Sequence, residues 1–178
     1  TRPTDIFETN VVGAYNFLTA AQNNDFSNSI VASSAPVHLK PEIVETACQL
    51  PSSNGPDHAY DLSKALQEAV ARDFHHHGTP TMCLRFGHIV LGQRALNLDS
   101  PISLADFDYC RGGWVALEDV VSACAGALSV SPSSERLEIL SIVGSKSARK
   151  RFNIDLVERR LGFSFTYDFA EFEAASDS

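Results

Sequence analysis

Two short apolar segments, separated by a long amphipathic one, constrain the fold of this chain more than any other feature. Ile30-Val31-Ala32 and residues 81–86 have the composition of buried strands. Between them, residues 57–74 place apolar side chains at helical spacing, and Gly78 and Pro80 end that pattern. A strand, a helix and a strand in this order predict an α/β fold with a parallel sheet.

The rest of the sequence extends this alternation. Further helices are predicted over residues 6–21, 117–128 and 152–161, and further strands over residues 114–116 and 137–143. Residues 36–57 and 87–113, which contain most of the other glycines and prolines, are predicted to be irregular, with a short helix near residues 41–48. A chain of 178 residues with this order of elements is expected to form one domain.

Two of the predicted helices carry more specific expectations. Gly13 lies inside the first one, where glycine costs about 1 kcal/mol relative to alanine, so we expect it to allow another segment to approach closely. The helix over residues 117–128 has one apolar side, formed by Val120, Val121, Cys124 and Leu128.

Charge, hydropathy and cysteine usage limit the partners and the compartment. The chain has 14 Lys and Arg against 22 Asp and Glu, so its net charge of −8 disfavours nucleic acid and anionic membranes. No apolar run approaches the roughly 20 residues of a membrane span, and the first residues carry no apolar signal region. The cysteines are widely spaced, and the consecutive histidines 75–77 point about 100° apart on a helix. We expect a cytoplasmic protein with reduced thiols and no metal site.

Tyr60 and Lys64 form the pair with the most chemical content. They are four residues apart, so a helix places both on one face. A tyrosine alone is a weak base at neutral pH, but a nearby ammonium in a partly buried site favours the phenolate and gives a proton donor and acceptor. The same spacing is also common in exposed helical pairs. Ser34 ends a predicted strand, where ligands bind in α/β sheets, so its hydroxyl could contact a substrate oxygen.

Several segments match the motifs of one enzyme family in the same order, over nearly the whole chain. They are the N-x-x-G-x-x-N-x-L segment Asn10–Leu18, the strand and serine of Ile30-Val31-Ala32-Ser33-Ser34-Ala35, the Y-x-x-x-K of Tyr60-Asp61-Leu62-Ser63-Lys64, the strand Leu84-Arg85-Phe86-Gly87, the segment Trp114-Val115-Ala116-Leu117-Glu118-Asp119-Val120, and Leu161-Gly162-Phe163. Together they resemble the extended short-chain dehydrogenase/reductases, also called the NAD-dependent epimerase/dehydratase family. Pro36 and His38 depart from the usual residues of that family.

The resemblance implies a fold and a set of roles. The fold would be a Rossmann-like doubly wound parallel sheet, with the catalytic part in residues 1–92 and returning sheet elements plus a small substrate-binding part in residues 93–178. Tyr60 would be the general acid and base and contact the cofactor, and Lys64 would favour its phenolate and bind the nicotinamide ribose. Ser34 would orient the substrate. The remaining predicted site residues are Asn10, which would support the cofactor side of the site, and His88, which would contact the cofactor carboxamide or the substrate.

The pyrophosphate-binding G-x-x-G-x-x-G of that family does not occur in this sequence. We expect the first strands of the sheet to precede residue 1, so that the chain is a piece of a longer enzyme. The alternative is a short protein that cannot hold the cofactor alone, for which we expect dimerisation, a partner chain or poor solubility. The choice between NAD and NADP stays open, because the residue that decides it follows the second strand of the sheet.

Three functions compete at this point. The first is an NAD(P)-dependent oxidoreductase or epimerase that acts on a small sugar or sugar acid, because the segment between Phe86 and Trp114 is short for the nucleotide-sugar enzymes of the family. The second is a non-catalytic binding protein that keeps the sheet and lacks its own cofactor. The third, a hydrolase with Ser34 as nucleophile, has no G-x-S-x-G motif and ranks last.

Overall fold

The computed structural model describes residues 2–35, 58–91, 96–97, 113–146, 149 and 152–170. The helices in this part are α1 (Pro3–Phe7), α2 (Gly13–Asn23), α3 (His58–His76), α4 (Leu117–Ser129) and α5 (Ile154–Leu161). The strands are β1 (Ser29–Ser34), β2 (Thr81–Phe86), β3 (His88–Leu91), β4 (Leu96–Asn97), β5 (Trp114–Ala116) and β6 (Glu138–Ile142). Each helix and strand predicted within these residues is present, whereas the short helix predicted near residues 41–48 lies outside them.

A parallel sheet with the order β1-β2-β6 forms the centre of the fold. Its middle strand is Thr81–Phe86, in which Met82, Cys83 and Leu84 are completely buried. Met82 and Leu84 pack with α4, α5 and β6, whereas Cys83 packs with α2 and α3. A continuous apolar run is what a strand covered by helices on both faces requires. The α/β fold with a parallel sheet is therefore confirmed.

A second sheet, with the order β4-β3-β5, continues from the carboxyl end of β2. Residues 87–113 were expected to be irregular, and for residues 88–91 and 96–97, which form β3 and β4, this prediction is wrong. The main-chain N–H of His88 donates to the Gly113 carbonyl at 2.7 Å, and the strand then runs parallel to β5. Four residues of strand directly after a glycine give too short a pattern to distinguish from a loop.

The N-terminal helical segment contains a π-turn, Glu8–Val12, between α1 and α2. The sequence pattern predicted one helix over residues 6–21 and gave no sign of this turn. Within the described residues, the expectation that Gly13 admits a close neighbour is wrong, because a Cβ there would meet the Glu8 carbonyl oxygen at 3.6 Å, an ordinary contact. Among the described helices, none combines the length and the apolar character needed to cross a membrane.

The orientation of α4 differs from the one its sequence pattern indicates. The residues that α4 buries are Asp119, Ala123 and Ala127, whereas the side chains of Val121 and Leu128 are 62% and 67% exposed. Gly126 lies directly against the Leu161 carbonyl oxygen, where a Cβ would collide, so the close approach of α4 to the end of α5 requires glycine at this position. Of the four residues expected on the apolar side, Val120 and Cys124 pack against the core, whereas Val121 and Leu128 do not.

Candidate active site

Tyr60 and Lys64 lie four residues apart in the first two turns of α3. Gly78, with a φ of +94°, follows the end of the helix, and the Thr79 N–H donates to the Phe74 carbonyl at 2.9 Å. Tyr60 is 40% exposed, whereas Lys64 is 9% exposed. The Lys64 Nζ lies 5.8 Å from the centre of the Tyr60 ring. An accessible phenol beside a buried ammonium is the arrangement that the sequence spacing predicted.

The Lys64 ammonium is held at the end of the sheet by two acceptors. Its Nζ donates to the Ala32 carbonyl of β1 at 2.9 Å and to Gln67 Oε1 at 3.0 Å. Burial lowers the pKa of Lys64, and the negative charge of Glu68 opposes that shift. The geometry therefore fixes the ammonium between α3 and β1.

The two serines at the end of β1 have different surroundings. Ser33 Oγ donates to Glu68 Oε1 at 2.5 Å, so this hydroxyl is engaged with α3. Ser34, the predicted substrate-binding residue, is 6% exposed and makes no hydrogen bond through its side chain to another described residue. Pro36 and His38, where the sequence departs from the family pattern, lie outside the described residues.

Asn10 reaches the site through a residue to which the sequence analysis gave no role. Its Nδ2 donates to Ser63 Oγ at 2.9 Å, and Ser63 Oγ donates to the Tyr60 carbonyl at 2.7 Å. Asn10 lies in the π-turn, and π-turns are frequent at functional sites. The three residues connect the N-terminal helical segment to the first turn of α3, so Asn10 supports the backbone that carries Tyr60.

This connection gives a prediction for stability. We expect Ser63→Ala to lower the free energy of unfolding by about 1–2 kcal/mol, because it removes a buried hydroxyl that both donates and accepts. The double variant with Asn10→Ala should cost less than the sum of the two single changes, by about 1 kcal/mol. Urea unfolding measures all three values. The control is Ser29→Ala, which removes a buried hydroxyl that has no partner among the described residues. Its effect on the free energy of unfolding should simply add to that of Asn10→Ala. Strict additivity for Asn10 and Ser63 would contradict the prediction.

His88 lies on β3, beyond the carboxyl end of β2. Its ring is half-buried and packs edge-on against Trp114, with ring centres 4.7 Å apart. This position leaves its expected contact with cofactor or substrate as a prediction. The structure thus links Asn10 through Ser63 to the turn of α3 that carries Tyr60, and it bonds Lys64 to β1 two residues before Ser34.

A buried ion pair that the sequence did not predict lies beneath these residues. Arg85 Nε and one terminal nitrogen donate to the two oxygens of Glu68, both at 2.7 Å. Glu68 is fully buried and Arg85 is 7% exposed. The available signal was weak: an arginine inside an apolar strand, and a glutamate one helical turn after Lys64.

Comparison with known proteins identifies one matching family model and several solved structures of similar fold. A family model described as the NAD dependent epimerase/dehydratase family matches residues 1–100. No curated protein matches the chain. One similar solved structure is a mutated uronate dehydrogenase, with 22% identity and a TM-score of 0.63 over 98% of this chain and 58% of that one. A UDP-galactose 4-epimerase has 16% identity and a TM-score of 0.63 over 99% of this chain and 71% of its own. A double mutant of the dTDP-glucose 4,6-dehydratase DesIV from Streptomyces venezuelae, with NAD bound, has 20% identity and a TM-score of 0.61 over 96% of this chain and 65% of its own.

At these identities the likeness shows the fold. The Rossmann-like doubly wound parallel sheet expected from the sequence is confirmed for the part that this chain covers. The chain spans 58% of the length of the uronate dehydrogenase that it matches.

Proposed function

Because this chain belongs to the NAD-dependent epimerase/dehydratase family, we propose that it carries the catalytic residues of an enzyme that oxidises or reduces a hydroxyl or carbonyl carbon with NAD or NADP. The observation that carries the proposal is the pairing of an accessible Tyr60 with the buried ammonium of Lys64, at the strand end that holds Ser34. The nicotinamide of the cofactor supplies or accepts the hydride in such chemistry.

Tyr60 is the proposed general acid and base. Its phenol oxygen takes the proton from a substrate hydroxyl during oxidation and returns it to a carbonyl oxygen during reduction. The positive charge of Lys64 favours the phenolate, and the bond from Lys64 to the Ala32 carbonyl keeps that charge in place. Ser34 donates a hydrogen bond to the same substrate oxygen and orients it.

Lys64 also fits a role in holding the cofactor. Ala32 and Gln67 accept hydrogen bonds from two of the three N–H groups of the Lys64 ammonium. Counting only the acceptors that the structure describes, the third N–H group is left to donate to a ligand hydroxyl. A nicotinamide ribose offers such hydroxyls. His88 and Asn10 remain the other residues proposed on the cofactor side, with Asn10 acting through Ser63.

The proposed substrate is a small sugar or sugar acid. The segment between Phe86 and Trp114 is short for a nucleotide-binding insertion, and one of the similar structures is a uronate dehydrogenase. The test uses the protein as its cell makes it, supplied with NAD or NADP and with free glucuronate, galacturonate, UDP-glucose and UDP-glucuronate in separate assays. We expect the fastest formation of reduced nicotinamide with a free sugar acid. Preference for a nucleotide sugar over every free sugar acid would contradict the substrate assignment.

A second candidate is the binding protein without its own cofactor. The two candidates differ in cofactor affinity. Titration of the protein from its own cell with NADH, followed by fluorescence, should show saturable binding for the enzyme. No binding at any concentration tried would favour the second candidate.

A further inference from the structure

Glu68 connects three elements directly beneath the candidate active site. It lies on α3, one turn after Lys64, and its carboxylate accepts hydrogen bonds from Arg85 of β2 and Ser33 of β1. Ser33 and Arg85 are direct neighbours across the two parallel strands. We call Ser33, Glu68 and Arg85 the Glu68 cluster. Glu68 lies one turn after Lys64 on α3, and Ser33 directly precedes Ser34 on β1.

We propose that the Glu68 cluster is a positioning element for the reaction: Glu68, bonded to Arg85 on β2 and to Ser33 on β1, holds α3 at the distance and rotation that place Tyr60 and Lys64 beside Ser34. No member of the cluster touches substrate or cofactor in this proposal. Its members act through the residues next to them, and the kinetic part of the proposal rests on the function proposed above.

Energetics argue that stability alone does not explain the cluster. Glu68 and Arg85 are both withdrawn from water, and a buried ion pair recovers its desolvation cost only when its geometry is very good. Apolar residues of similar size are often as stabilising or more so at such sites. The two parallel bonds from Arg85 to Glu68, at 2.7 Å each, instead fix relative orientation, because a guanidinium and a carboxylate fit in one plane.

The cluster also acts on the charge of Lys64. Burial in this part of the fold disfavours the ammonium, and the Glu68 carboxylate one turn away favours it. Among the described residues, the groups that interact with the Lys64 ammonium are the Ala32 carbonyl of β1 and, from α3, the Gln67 amide oxygen, the Tyr60 ring and the Glu68 carboxylate. Arg85 of β2 and Ser33 of β1 are bonded to that carboxylate. Loss of the Glu68 charge would remove the interaction that opposes the effect of burial, so Lys64 would lose its proton at lower pH.

The first experiment uses Glu68→Gln in the protein as its cell makes it. This change keeps the size of the side chain and removes its charge. We expect kcat to fall by about tenfold to a hundredfold, with a smaller change in KM, because the groups that contact the substrate remain. The high-pH limb of the activity profile should move to lower pH, since activity requires a protonated Lys64. If Glu68 had only a structural role, Glu68→Gln would change neither the position of the high-pH limb nor the size of the kcat effect relative to the KM effect.

A second readout needs no activity. The NMR signal of the Lys64 ε-carbon, assigned with Lys64→Arg, reports its protonation in the resting protein, and we expect its pKa to be lower in Glu68→Gln than in the parent. Ser33→Ala removes one bond of the cluster and should lower kcat, whereas Ser29→Ala, a buried serine on the same strand whose hydroxyl has no partner among the described residues, should leave kcat unchanged.

A triple apolar variant covers the case in which Glu68→Gln does not fold. Ser33→Ala, Glu68→Leu and Arg85→Met together leave no member of the cluster buried without a partner, so we expect it to fold with at least the parent's stability. It should still lose kcat by about tenfold or more.

The outcomes separate the two proposals. Unchanged kcat and an unchanged Lys64 titration in a folded variant would overturn the positioning role. If the parent itself transfers no hydride, the proposed function fails, and the Lys64 titration alone then decides whether the cluster acts on Lys64.

Discussion

Tyr60→Phe is expected to lower kcat by about 10²- to 10⁴-fold, the usual contribution of a general acid and base. The change removes one oxygen from a side chain that is 40% exposed, so packing within α3 is preserved. Steady-state rates of nicotinamide reduction measure the loss. Circular dichroism and NADH titration should show that the fold and cofactor binding are retained.

Tyr15→Phe is the matched control for this experiment. Tyr15 is 55% exposed on α2, and its ring packs edge-on against Phe74, a contact that a phenylalanine ring keeps. We expect its kcat to equal that of the parent. If Tyr60→Phe retained kcat within about tenfold, another group would have to move the proton, and the mechanism proposed for Tyr60 would be wrong.

Gly87→Ala is expected to destabilise the protein by about 3 kcal/mol or more. Gly87 lies where β2 passes into β3, and its N–H donates to the Ile142 carbonyl at 3.0 Å. A Cβ there would collide with the Gly113 carbonyl oxygen and lie 2.8 Å from Val143 Cγ1. The first of these atoms belongs to the main chain, so no side-chain rotation relieves the contact. The midpoint and slope of urea unfolding give the free energy.

Gly13→Ala provides the opposite control. Gly13 has right-handed helical φ and ψ, and a Cβ would meet the Glu8 carbonyl oxygen at 3.6 Å. Alanine is favoured over glycine in a helix by about 1 kcal/mol, so this variant should be more stable than the parent. If Gly13→Ala and Gly87→Ala changed the free energy of unfolding equally, the crowding around Gly87 would not be what destabilises the Gly87→Ala variant.

The part of the site that the sequence predicted depends on local periodicity. Tyr60 and Lys64 share a face because an α-helix has 3.6 residues per turn, and the helix over residues 57–74 was clear from its apolar spacing and its terminal Gly78. Ser34 could be placed at a strand end for the same reason: the apolar run before it has the length of a buried strand.

The part that the sequence did not predict depends on which elements meet. Ser33 and Arg85 lie 35 and 17 residues from Glu68, and no periodic pattern relates such positions. A glutamate on a helix is also usually exposed, so its residue type indicated the opposite of its burial. In the same way, Gly126 on α4 packs directly against Leu161 on α5, a contact that apolar spacing along one helix does not reveal.

The π-turn between α1 and α2 fixes the number of residues that this part of the chain can have. Its hydrogen bonds span five residues where those of an α-helix span four, so it holds one residue more than an α-helical turn. Each residue of an α-helix corresponds to about 100° of rotation about the helix axis. Removing one residue from Glu8–Val12 would complete an α-helix and turn Asn10 by that angle relative to Ala14 and Leu18, which are buried on α2. Asn10 would then no longer face Ser63. Relatives that keep this Asn10–Ser63 contact should therefore vary in length elsewhere, in the surface loops, and keep this segment at constant length.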